Sequence, residues 1–218
     1  MCSRSQHRVT LRTGRGIMTS SEDEEEKRNQ GNSEPQGDKT SSQINNTALK
    51  PLYEFWNEVR GDRLLPDASD IDPAQIAYIL KDIAILDVID EMTIRYRLAG
   101  TAIAERMGDD PTGRNLIEMT APNMRSLVSQ VMQHIVAQPV GALATYENVY
   151  QSGKRAIVES LYLPLKKTAG LSERIVSVHS QEKTITYEEE QLHSKVAAKI
   201  LEITWIDIGA GIPEEVQV

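Results

Sequence analysis

The stretch "TIRYRLAGTAIAERMG", residues 93–108, decides how the chain folds. Residues 93–99 alternate. Ile94, Tyr96 and Leu98 fall on one face, and Thr93, Arg95 and Arg97 on the other, as a strand requires. Gly100 ends the alternation, and 101–107 read as a short helix stopped by Gly108. Just upstream, "DIAILDVID" (82–90) is β-branched and apolar on both faces, which marks a central strand. Two residues, Glu91 and Met92, join the two strands in a meander.

Working outward, "PLYEFWNEVRG" (51–61) has Pro51 at a helix start, apolar residues at helical spacing and Gly61 as a stop. Asp72 and Pro73 predict the cap and first position of a further short helix through about Tyr78. Residues 122–137 form the clearest helix, with Met124, Leu127, Val128, Val131, Met132 and Ile135 on one stripe. Three strands follow, near 140–150, 155–163 and 173–182, the first two joined by a hairpin at Ser152-Gly153. Residues 188–196 read as an exposed loop or short helix, and 199–209 as a last strand. Ordered sequence is expected from about Leu49 to Pro213, preceded by a disordered tail (1–48) and followed by a short one (214–218). Residues 1–17 are arginine-rich and free of acids, which reads either as an organelle transit peptide or, the preferred reading, as sequence upstream of a true translation start at Met18.

The chain carries a net charge of −8, and its first 50 residues are nearly balanced, so the ordered part holds the acidic surplus. That argues against a nucleic-acid partner, which needs a basic face. One cysteine, Cys2, lies in the tail, so the ordered region has no thiol nucleophile and no disulfide. No apolar run is long enough to span a membrane, and the expected location is cytoplasmic.

The element order predicts an α+β domain with helices grouped against one face of an antiparallel sheet. The motifs "FWNEVRG" (Trp56, Arg60, Gly61), "LPDASDIDP" (Pro66, Asp70, Asp72, Pro73), "RYRLAGT" (Arg97, Gly100, Thr101), "GDDPTGRNL" (Gly108, Thr112, Gly113), "LYLPL" (Leu163, Pro164) and "WIDIGAGIP" (Asp207, Gly209, Gly211, Pro213) come in a definite order and spacing. In these the chain resembles the PAS domain, and more narrowly a bacterial family of stand-alone PAS proteins, over about residues 50–213. Ala68 departs from that family, which commonly has an arginine there. The resemblance implies a five-stranded antiparallel sheet, with short helices and one longer helix on one face closing over a pocket. To this the chain adds an N-terminal helix and an extra C-terminal strand.

The resemblance also implies a non-enzymatic sensory or regulatory module that binds a small ligand, a signalling protein partner, a second copy of itself, or some of these. The alternatives are a pure adaptor without ligand and a small α+β enzyme using acid-base chemistry in the pocket. Tyr96 either offers its phenol to a ligand or packs as a core aromatic. Arg97 and Arg114 either clamp an anion or pair with local carboxylates, for Arg97 one of Asp82, Asp87 and Asp90. His134, on the long helix, is a fourth pocket candidate, although helical phase puts it on the flank of the apolar stripe, which disfavours haem ligation. A flavin-reactive cysteine is absent, and no cofactor is named by the sequence. Histidine spacing fits no metal site. Phe55, Trp56, Tyr150 and Tyr162 are candidates for an interaction surface, with packing on the sheet face the favoured reading of Tyr150 and Tyr162.

Overall fold

The computed structural model describes residues 8–9, 44–189 and 192–213. The sheet consists of β1 (Arg8–Val9), β2 (Ile83–Val88), β3 (Ile94–Ala99), β4 (Gly141–Val149), β5 (Lys154–Leu165), β6 (Glu173–Tyr187) and β7 (Lys195–Ile206). The helices are α1 (Lys50–Arg60), α2 (Thr101–Met107), α3 (Leu116–Met119) and α4 (Arg125–Ala137). The strands lie in the order β1-β7-β4-β5-β6-β2-β3, and every pairing is antiparallel. Thus β2 sits between β6 and β3, which is why its sequence is apolar on both faces. The extra C-terminal strand β7 joins the edge at β4.

Apolar groups cover both faces of the sheet. The inner face packs Leu86, Tyr96, Tyr146, Val158, Ile175 and Ile203 against α2, α3 and α4. The outer face presents Leu161, Leu163, Leu165, Val176, Val178 and Ile206, which cannot stay wet. Helix α1 covers them with Leu52, Tyr53, Phe55 and Trp56. Phe55 and Trp56, candidates for an interaction surface, are therefore interior residues. Trp56 is fully buried, donates its indole N–H to the Pro164 carbonyl at 3.0 Å, and carries the Arg60 guanidinium over its ring.

Three further expectations change. The apolar face of β3 breaks after Tyr96. Ile85 pairs with Leu98 but Leu86 pairs with Tyr96, so Arg97 is an extra residue in the ladder and Leu98 turns outward, 37% exposed. Residues 73–79 form successive turns, not a helix, with bonds reaching only three residues back, and end in a 3-10 turn at Leu80–Asp82. A single fully buried residue in that span, Ile76, gives a helix too little to bury. Finally, order begins before Leu49, because Ile44 is fully buried beneath α1. The rest of the expected N-terminal tail, apart from the Arg8–Val9 strand, and the tail 214–218 lie outside the described residues.

Ala197 in β7 has φ +46°, a left-handed conformation that costs a non-glycine residue about 1 kcal/mol. It is held there by its N–H donating to Asn148 Oδ1 at 2.9 Å, where the β4–β7 register slips. Ala197→Gly is expected to keep or raise stability, by up to about 1 kcal/mol, in a urea titration. A loss of stability would mean that the methyl's packing outweighs the strain.

Candidate functional site

The register of β4, β5 and β6 fixes the site. Tyr146, Asn148 and Tyr150 share the inner face of β4 and its extension, being two residues apart. Ser160 on β5 lies directly across from His179 on β6, and Tyr162 across from Ser177. Small residues at Ala142 and Ala144, opposite Tyr162 and Ser160, leave room at the centre of the face.

These side chains form a buried polar chain. Ser160 Oγ lies 2.7 Å and the Tyr146 hydroxyl 3.2 Å from His179 Nδ1, and the two hydroxyls lie 2.8 Å apart. The Tyr162 hydroxyl is 3.5 Å from that of Tyr146. On the other side of the ring, Ser177 Oγ is 2.9 Å from His179 Nε2 and 3.4 Å from the Ala84 carbonyl. One proton arrangement satisfies every member. Tyr162 donates to Tyr146, Tyr146 to Ser160 and Ser160 to Nδ1; Nε2–H then donates to Ser177, and Ser177 to the carbonyl. His179 is thus neutral, and burial, with the Arg106 guanidinium adding to it, pushes its pKa down to about 3. Arg106 is itself held by Asp82 at 2.8 Å. Burial raises the pKa of Tyr96, Tyr146, Tyr150 and Tyr162, so their phenols stay protonated.

Two cavities of about 30 Å³ each adjoin this chain. The polar one is lined by Tyr96, Arg106, Tyr146, Asn148, Tyr150 and His179, with Ile103, Met107, Val158 and Val196. The other is apolar, between Leu116, Val128, Val131 and Met132 of the helices and Ala144, Ala197, Ile200 and Ile203 of the sheet, with Tyr162 at its wall. Tyr146 and Val196 line both. The Tyr96 hydroxyl has no hydrogen bond among the described residues, although the residue is 5% exposed. The hydroxyl faces the polar cavity, where a water-sized molecule reaches it; among the described residues the fully enclosed side-chain polar atom without a partner is instead the Trp205 indole N–H.

Of the residues singled out from sequence, Tyr96 is in the polar cavity. Tyr150 and Tyr162, weighed as an exposed patch against packing on the sheet face, are 3% and 5% exposed and line the cavities, because their strand positions face the helices. Arg97 lines neither cavity. As the extra residue of the bulge it points to solvent, 3.7 Å from Asp87. Arg114 lies on the outer rim of β3, 2.6 Å from Asp109. His134 is half-buried on the flank of α4. Its Nδ1–H donates to the Gln130 carbonyl at 2.6 Å, its ring leans on Trp205, and it lines neither cavity. Tyr146, Ser160, Ser177, His179 and Arg106 were missed. The alternation in "TYENVY" puts Tyr146 and Tyr150 on one face, but their meeting with Ser160 and His179 depends on strand register.

The family model for the PAS domain matches residues 44–179, well over half of the chain. The chain belongs to the PAS domain family. PAS domains serve in general as sensory and regulatory modules. A comparison with curated proteins found no match. The matched range includes Tyr96 and the whole polar chain from Tyr146 to His179. Val196, Ala197, Ile200 and Ile203, which wall the cavities from β7, lie beyond it. Among the described residues no helix is long and apolar enough to cross a membrane.

Proposed function

We propose that this PAS domain is a non-enzymatic sensor whose input is a small amphipathic molecule taken into the inner-face cavities. The observation that carries the reading is the unpartnered Tyr96 hydroxyl in a buried, cavity-lining position. As a protonated phenol it donates, so the ligand brings an acceptor: a carbonyl, carboxylate or hydroxyl oxygen. The apolar cavity beside it suits a compact hydrocarbon body. Polar groups that fix orientation within a mostly apolar wall are the usual makeup of a small-molecule site.

Size gives the signalling step. Each cavity has room for about one or two waters as it stands. A larger ligand has to displace side chains, and the ones best able to yield are Met107 on α2 and Met132 on α4. Ligand entry then biases the positions of both helices against the sheet, which is a two-state change that a partner protein can read.

The test is a thermal-shift comparison of acetophenone, cyclohexanone and hexanoate with ethylbenzene, which has the body but no acceptor. The acceptor-bearing probes are expected to raise the melting temperature by several degrees and ethylbenzene by less. Ala144→Val adds bulk in the apolar cavity on a strand. It is expected to gain about 0.5–1 kcal/mol of stability and to lose the response. Tyr96→Phe should reduce the carbonyl probes to the level of ethylbenzene. A response equal in wild type and Ala144→Val would place binding elsewhere and overturn the proposal.

A further inference from the structure

A second recess lies outside the inner face, along the outer rim of β3 where the 113–115 turn bridges to it. It has a volume of about 390 Å³ and is lined by Thr93, Arg95, Arg114, Asn115, Glu118 and His193, with Gly113 and Met119. It shares no lining residue with the inner cavities.

Its walls are fixed by the backbone. Gly113 N–H donates to the Tyr96 carbonyl at 2.7 Å, and Tyr96 N–H to the Arg114 carbonyl at 3.0 Å. Asn115 Oδ1 accepts from Ile94 N–H at 3.1 Å while its amide donates to the Met92 carbonyl at 2.8 Å. These four bonds seal the edge of β3 and hold the 113–115 turn against it.

The charges differ in how they are matched. Arg114 is oriented by Asp109 at 2.6 Å. Arg95 has no carboxylate within ion-pair distance among the described residues. The reason lies in the register. Asp87 stands directly across from Arg95, but its carboxylate is taken by Arg174 at 2.9 Å and Arg97 at 3.7 Å. So on a chain with a net charge of −8, a preformed recess holds one guanidinium without a counter-ion, a second one held in place, and an imidazole. Glu118 is the opposing charge in the recess.

We infer that this recess binds the oxyanion, carboxylate or phosphate, of a small molecule, with Arg95 as its principal contact. A guanidinium presents paired donors that match either oxyanion in a bidentate fashion. Arg114, Thr93, Asn115 and His193 offer further donors around it, and Glu118 limits the affinity and disfavours highly extended anionic surfaces.

The test uses inorganic phosphate and citrate as probes, followed by NMR of the backbone and arginine side-chain N–H groups, with chloride at matched ionic strength as control. The expected result is a saturable shift of the Arg95, Arg114 and Asn115 signals by phosphate or citrate. Arg95→Gln, at an exposed position, should weaken binding at least tenfold, and Glu118→Gln should tighten it a few-fold. Ala144→Val should leave it unchanged, which separates this site from the inner cavity. Shifts that track ionic strength alone, or binding that Arg95→Gln leaves intact, would overturn the inference. If phosphate binds and citrate does not, the oxyanion is a phosphate, and the reverse names a carboxylate.

Discussion

Stability is expected to fall by about 2 kcal/mol between pH 6.5 and 4.5 through His179 alone. The imidazole titrates near 6.5 in the unfolded chain and near 3 when folded. Between those values the unfolded state binds a proton that the native state does not. Its contribution is therefore complete above pH 6.5 and is lost progressively as the pH drops toward 3. The cause is structural. A second ring proton would occupy the Nδ1 lone pair that accepts from Ser160 and so break that bond, in a space where Arg106 is already positive. Reading the effect above pH 4.5 keeps it apart from most carboxylate titration. Urea unfolding at several pH values should show the slope in wild type. His179→Gln, which can still donate and accept, should start from a lower stability but lose much of the slope. Equal slopes in the two proteins would show that His179 is not the titrating group.

Gly100→Ala is expected to cost about 3 kcal/mol or more. The backbone there is ordinary, with φ −68° and ψ 158°, so strain in the dihedral angles is not the reason. The reason is space. A methyl at Gly100 would fall on the carbonyl oxygens of Leu80 and Lys81, and both belong to main chain that cannot swing away. The close approach exists because Gly100 N–H donates to the Ile83 carbonyl at 2.8 Å, tying the end of β3 to the start of β2. Its own carbonyl then accepts the first bonds of α2. Gly113→Ala is the contrasting substitution. With φ +84° and open space around it, it should lose only about 1 kcal/mol, from conformation alone. Similar losses for the two in chemical denaturation would remove the steric account of Gly100.

That contrast also marks what the sequence could convey. Gly100 reads as a stop between strand and helix, and it is one; that it is pinched between two carbonyls is a fact of the chain 20 residues earlier. Period and punctuation located β2, β3, α1, α2 and α4 because those signals are local. The stripe on α4, Leu127 to Ile135, is buried as its spacing requires. Faces were harder. Leu98 follows the alternation of β3 in sequence but leaves it in space, since one bulged residue reverses the direction of everything after it. Trp56 and Phe55 carry a bulky apolar surface that a sequence can only call sticky. The outer sheet face that absorbs it is assembled from β5, β6 and β7, more than 100 residues away in the chain. The polar chain was the least legible part. Tyr146, Ser160 and His179 are each unremarkable alone, and only the antiparallel registers of three strands bring their polar atoms within 3.2 Å.

The central claim is that the inner face of this PAS domain receives a ligand that completes the Tyr96 hydroxyl. Native mass spectrometry of the purified full chain, beside its Ala144→Val variant, tests it most directly. The account predicts an added mass on the wild-type chain that is released on denaturation, and a bare mass for the filled variant. Bare masses for both proteins, or the same adduct on both, would contradict it.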